Sequence, residues 1–241
     1  MISKKVDWQL VVLVCSLIII MIMGVRQSLG LFLEPISQFM KDGKEFFSFA
    51  IGFQAIIWGV VTFGLGILID KFGPQKVLAF GIICFSSGIF LMSNPNNQLT
   101  LFSATSLMGF GLGGAGMATM VSIAGKVAPP DKRSFAMGLI AAAASFGQFA
   151  VVLPTMWMNK TFGWETSLIV LSIITISMLL LLPLLSNTNE MVNKKDSFGN
   201  ELQNTLLFSL KERNYILLIM GFFVCGFHVT FIGLHLPADL M

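Results

Sequence analysis

Residues 64–76, Gly-Leu-Gly-Ile-Leu-Ile-Asp-Lys-Phe-Gly-Pro-Gln-Lys, close one long apolar run and open another. Charge, a glycine and a proline are packed between two stretches that are insoluble by themselves. Gly-Pro directly after an Asp-Lys pair predicts a tight, polar turn at the boundary of an apolar phase. With that turn in water, the segments on either side have only the bilayer to enter. The rest of the chain repeats the pattern.

A membrane-spanning helix needs about 20 residues at ~1.5 Å rise each. On that rule residues 9–33, 46–69, 77–92, 99–124, 134–157, 166–185 and 215–236 predict seven spans, the third short and bounded by Pro74 and Pro95. Polar turns at 41–45, 70–76, 94–98, 126–133 and 159–165 join the first six. Residues 187–213 are the one long polar connection. Within it Phe198, Leu202, Leu206 and Leu210 recur every four residues, which fits a short amphipathic helix on the membrane surface, or a solvated linker. The expected organisation is a six-helix bundle over residues 1–186, a linker at 187–213 and a seventh helix within 214–241.

Composition narrows the class further. Charged residues make up 11% of the 241, against roughly a quarter in soluble domains, and 55% are hydrophobic. The mean hydropathy is +0.84. A net charge of +3 with no basic helix and no aromatic-basic interleaving argues against nucleic acid as a partner. Cys15, Cys84 and Cys225 lie far apart inside apolar runs and imply neither a disulfide nor a metal site. The first apolar run is too long for a cleavable signal and no small-x-small site closes it, so it is expected to stay as a span. With the N-terminus in the cytoplasm, 11 of the 15 Lys and Arg residues fall in inner segments, three in outer ones and Arg26 within a span. That bias predicts a multi-pass protein of the inner (cell) membrane with a cytoplasmic N-terminus.

At this point the motifs are specific enough for a resemblance. Gly66-x-x-x-Asp70-Lys71-x-Gly73-Pro74-x-Lys76 resembles the loop between helices two and three of the major facilitator superfamily. Pro129-Pro130-Asp131-Lys132-Arg133-Ser134-x-Ala136-x-Gly138 resembles that superfamily's loop between helices four and five. The resemblance covers the whole chain. It implies an all-α membrane protein, in which a 3+3 inverted repeat forms the six-helix N-terminal half and helix seven begins a second half. The rest of that second half is missing from the sequence, through truncation or because the sequence is a fragment. The resemblance also implies a conformational latch at Gly66, Asp70, Lys71, Gly73, Lys76 and Arg133, with Asp70 pairing to Arg133 in one access state. Solvated turn charges held on one side by topology also account for those residues.

Three further stretches are similar to the bacterial monocarboxylate-porter and oxalate/formate-antiporter branch. They are Arg26-Gln27-Ser28-Leu29-Gly30-Leu31-Phe32-Leu33-Glu34-Pro35-Ile36, the helix-five entry from Lys132 to Gly147, and Phe223-Val-Cys-Gly226-Phe227-His228. That branch implies a small organic anion as substrate and protons as the coupling partner. Helix five has no Gly-Pro pair before Pro154 and residues 101–117 carry no arginine, which departs from the drug-exporter branch.

Depth then singles out candidate binding residues. Counted from each cytoplasmic helix end, Arg26 lies about 24 Å up, Gln54 about 22 Å, Gln148 about 21 Å and His228 about 20 Å. Trp58 is one turn below Gln54, and Gln27 adjoins Arg26. An arginine at that level costs perhaps 2.5–3.5 kcal/mol to insert and needs a negative partner. No Asp or Glu of this sequence lies mid-membrane, so a substrate carboxylate, matched bidentately by the guanidinium, is one candidate. An acid from later helices is the other, and snorkelling to the outer headgroups would also place Arg26. Ordinary interhelical hydrogen bonds suffice for Gln54, Gln148 and His228, and Trp58 is read as a pocket wall.

No paired acids or Ser/His constellation share a depth, so neither an enzyme nor a cofactor is expected. Glycines 109, 111, 113, 114 and 116 precede no Lys-Ser/Thr and cradle no phosphate; they predict close helix packing, or a hinge. A transporter of sugars, amino-acid derivatives or drugs, and a non-transporting receptor or assembly subunit, stay open. The expectation is a secondary active transporter of a small organic anion working by alternating access.

Overall fold

The computed structural model describes residues 7–40, 43–188 and 213–239. Among them there are helices, short caps and turns, and no strand. The helices are α1 (Trp8–Ser28), α2 (Leu33–Met40), α3 (Gly43–Phe72), α4 (Pro74–Met92), α5 (Gln98–Ala115), α6 (Met117–Val127), α7 (Arg133–Ala150), α8 (Val152–Phe162), α9 (Trp164–Ser177) and α10 (Arg213–Asp239). Tighter 3-10 segments occupy Leu29–Phe32 and Met178–Thr188. Seven stretches are long and apolar enough to cross a bilayer, at the places the sequence predicts. Most of the expected linker at 187–213, with its amphipathic helix, lies outside the described residues.

Four spans are composites; the sixth passes from α9 into the 3-10 segment Met178–Thr188, and sequence features mark the joints of the other three. The first runs from Trp8 to Met40 and tightens to 3-10 geometry just before Pro35. The fourth breaks at Gly116, whose backbone is extended between α5 and α6. Thr119 Oγ1 donates to the Gly113 carbonyl at 3.2 Å and covers one acceptor exposed by that break. The fifth is interrupted at Val151, three residues before Pro154, which has no N–H to donate back into α7.

The polar turn expected at 70–76 is corrected to a single residue. Helix α3 continues through Asp70 and Lys71 to Phe72, and only Gly73 leaves helical geometry, at φ +85°. Glycine alone accepts that angle without strain, and Pro74 starts α4 where no N–H is required. Gly163, at φ +82°, makes the same one-residue turn between α8 and α9. The two turns join spans two to three and five to six, equivalent positions in a 3+3 repeat.

The bundle closes on small residues. A β-carbon on Gly81 would lie 2.5 Å from the Ala115 backbone nitrogen, and one on Gly114 only 2.7 Å from Gly81 Cα, so α4 and α5 touch backbone to backbone. Between α1 and α7 a β-carbon on Gly147 would lie 2.3 Å from the Ile20 carbonyl oxygen. Hydrophobicity drives no helix association inside lipid, so close van der Waals contact has to. Ser86 and Ser172 add a reciprocal pair between α4 and α9, each hydroxyl donating to the other's carbonyl at 2.9 and 3.0 Å. Large apolar side chains such as Phe49, Val60, Phe90, Leu99 and Phe135 face outward, as a lipid-bathed surface requires.

Candidate functional site

The upper part of α1, the middle of α3 and the far half of α10 meet around a small cleft. Arg26 and Gln27 come from the last turn of α1, Leu29 and Gly30 from the 3-10 segment, and Ile51 and Gln54 from α3. Val229, Thr230 and Gly233 of α10 form the opposite wall. The space inside is about 20 Å³, room for a water molecule.

Helix α3 sets two side chains one turn apart on one face, Gln54 and Trp58. Gln54 is only 2% exposed, and its Nε2 has no hydrogen-bond partner. The Arg26 guanidinium carbon lies 4.9 Å from the centre of the Trp58 ring, within cation–π range. The charge is therefore turned inward onto α3. It makes no ion pair among the described residues.

Helix α5 supports this arrangement from below. A β-carbon on Gly109 would come within 2.8 Å of the Gln54 carbonyl oxygen, and one on Gly113 within 2.4 Å of Val61 Cγ1. The Gly109-x-x-x-Gly113 pair therefore serves the contact with α3, while Gly111 and Gly114 serve the contact with α4. The break at Gly116 lies beside the Trp58 indole nitrogen, 3.4 Å from where a β-carbon would stand.

The remaining predicted residues are placed as follows. Gln148 is half-buried on α7 and is not among the residues lining this cleft. His228 is exposed on α10, whereas its neighbours Val229 and Thr230 line the cleft. Gly73 forms the turn described above. Lys76 is exposed in the first turn of α4, at the mouth of an apolar pocket of about 340 Å³ that Phe72, Phe80 and Phe110 also line. Arg133 opens α7 and is exposed, with no ion pair among the described residues. Gly66, Asp70 and Lys71 lie in the last turns of α3; their side-chain placement is outside the described residues.

Sequence reasoning missed Thr230 and Gly233, which carry no charge, and Asn159, read as part of a turn. Asn159 Nδ2 donates to the Leu31 carbonyl at 3.2 Å, linking α8 to the 3-10 segment. The signal for it was Pro35, whose ring nitrogen leaves the carbonyl four residues earlier without a helical donor.

Residues 12–239 match the family model described as Major Facilitator Superfamily. The chain belongs to the major facilitator superfamily. It is 25% identical over 226 residues to the uncharacterized MFS-type transporter YcxA of Bacillus subtilis (strain 168), covering 88% of this chain and 52% of that protein. It is 25% identical over 179 residues to the agnestins efflux protein AgnL12 of Paecilomyces divaricatus, covering 73% of this chain and 38% of that one. The chain thus spans about half the length, or less, of these relatives. Its family and its seven long apolar stretches make it a multi-pass membrane protein.

Proposed function

We propose that the protein carrying this sequence is a secondary active transporter that moves a small organic anion of the monocarboxylate class by alternating access, coupled to protons. One observation carries the reading. Arg26 holds a positive charge within the first span, faces the interior against Trp58, and has no acidic partner among the described residues. A carboxylate entering the cleft would complete a bidentate pair with the guanidinium. The unpartnered Gln54 Nε2 would donate to an oxygen of the same solute, and Gln27 and Thr230 offer further polar contacts.

The stack on Trp58 supports the same reading. A cation–π contact is worth about 0.5–2 kcal/mol, less than the ~2.5–3.5 kcal/mol that places an arginine in the membrane. The aromatic ring holds the guanidinium in place without neutralising it. In this proposal Asp70 and Arg133 latch the spans in one access state. The Lys and Arg distribution favours an inner-membrane protein with its N-terminus in the cytoplasm.

The test is uptake of radiolabelled lactate and oxalate into vesicles bearing the protein expressed from its own reading frame, with and without an imposed pH gradient. Arg26→Ala should lower uptake by about two orders of magnitude, since a lost charge-assisted pair amounts to roughly 2–4 kcal/mol. Arg26→Lys should recover part of it, because a lysine keeps the charge but loses the fork. Carboxylate uptake that survives Arg26→Ala unchanged would refute the assignment.

A further inference from the structure

The end of the first span is held by a side chain from the fifth, and that contact reaches the cleft. In α-helical geometry the N–H of residue 35 would donate to the Leu31 carbonyl; Pro35 has none. The segment responds by tightening, and Leu33 donates to the Gly30 carbonyl in 3-10 fashion. That leaves the Leu31 oxygen without the α-helical donor that residue 35 would supply, in a segment where Leu31 is 4% exposed and Phe32 fully buried. Asn159 fills the gap from α8 at 3.2 Å.

The same segment contributes to the site. Leu29 and Gly30 of the 3-10 segment line the cleft directly, and α10 packs against this segment through the region of Val229 and Gly233. The Arg26 carbonyl accepts the N–H of Leu29, so the segment continues directly from the turn that carries the guanidinium. A shift at Leu31 is therefore passed to the cleft wall on one side and to Arg26 on the other. The fifth span is already fixed to the first lower down, where Gly147 meets Ile20 and Gly24. Asn159 adds a second tie about two to three helical turns further along the first span.

We propose that Asn159 is a positioning residue for the cleft: by donating to the carbonyl that Pro35 strands, it fixes the 3-10 segment Leu29–Phe32 and with it the separation between Arg26 and the wall formed by α10. That the cleft receives an anion rests on the reading given under Proposed function; that Asn159 sets its shape does not. Asn159 touches no substrate in this scheme and acts through the backbone of the first span.

The experiment turns on supplying the missing donor by two routes. Asn159→Leu removes the side-chain donor at similar volume. Pro35→Ala returns a backbone N–H to position 35, so the double variant regains a donor for the Leu31 carbonyl from within the helix. Hydrogen exchange followed by mass spectrometry should show the 29–36 region of Asn159→Leu exchanging about three- to tenfold faster, with protection restored in Pro35→Ala/Asn159→Leu. A cysteine placed at Thr230, in a Cys225→Ala background, should react with N-ethylmaleimide several-fold faster in Asn159→Leu and at the original rate in the double variant. Lactate uptake in Asn159→Leu should show KM raised about three- to tenfold with the maximal rate kept, because the cleft is misshaped rather than the transport step slowed.

Unchanged exchange and unchanged thiol reactivity in Asn159→Leu would overturn the proposal, as would a defect that Pro35→Ala fails to relieve. Faster exchange with an unaltered lactate KM would overturn the link to the site. Absence of lactate and oxalate uptake in the parent protein would sink the anion reading alone, since the exchange and labelling results decide the role of Asn159 by themselves.

Discussion

Two interhelical regions of this molecule solve opposite problems. Along the seams of α4 with α5 and of α1 with α7, backbones come so close that a single methyl group has no room. In the cleft between α1, α3 and α10, a guanidinium rests on an indole without a counter-ion, and a buried amide nitrogen has no acceptor. The seams hold the bundle together with almost no polarity. The cleft keeps polarity that the fold itself does not use. Inside a bilayer an uncompensated polar group costs several kcal/mol, which is why the proposed anion is assigned to the cleft and not to the seams.

The contrast breaks most visibly at the tightest contact. Replacing Gly147 by Leu would drive a branched side chain into the Ile20 carbonyl, 2.3 Å from the β-carbon position. The three nearest atoms all belong to the Ile20 backbone, so no rotamer change relieves the overlap. The expected cost exceeds about 3 kcal/mol, seen as loss of the monodisperse peak in mild detergent. Arg26→Ala should do the reverse, abolishing carboxylate uptake while the protein elutes and melts as before. A variant at Gly147 that stays folded would mean the α1–α7 seam is looser than the geometry states.

Much of this was legible in the sequence, and the gaps have physical reasons. The seven spans follow from run length, because the thickness of the bilayer fixes how many apolar residues a helix needs. The polar layer was half legible. Helical rise gives depth but not azimuth, so Arg26 and Gln54 come together while Gln148 and His228, at similar heights, do not line the same cleft. Asp70 and Lys71 read as turn residues in the sequence because of their charge, yet they continue α3, and Gly73 alone supplies the reversal. Asn159 was missed because its partner is a carbonyl 128 residues away that only the ring of Pro35 sets free. Thr230 and Gly233 carried no sequence signal beyond lying in an apolar run.

A smaller effect is expected where the seams do use polarity. Ser86 and Ser172 exchange hydroxyl-to-carbonyl bonds across α4 and α9, with their oxygens 3.1 Å apart. Each carbonyl also belongs to its own helix, so the serine adds to a bond already present. Ser172→Ala should therefore cost about 0.6–1.5 kcal/mol, read as a fall of a few degrees in the melting temperature with uptake intact. The Ser86→Ala/Ser172→Ala pair should cost less than the sum of the single changes, since either one already breaks the reciprocal contact. A loss of uptake without a loss of stability would move this pair from the seams to the transport machinery.

The smallest effect is the most discriminating for the outer face of α7. Gly138 falls within the stretch that resembles a superfamily loop, yet it is exposed, and a β-carbon there meets nothing within 4 Å. By the packing logic that makes Gly147 irreplaceable, Gly138 is free of the six-helix bundle. Gly138→Ala should change stability by no more than about 0.5 kcal/mol, measured by thermal melting of the six-span bundle with helix seven attached. The same change should also leave lactate uptake intact if lipid alone covers this face. An uptake defect with unchanged bundle stability would instead mean that another protein surface approaches Gly138 as closely as α1 approaches Gly147, extending the seam chemistry beyond the helices described here.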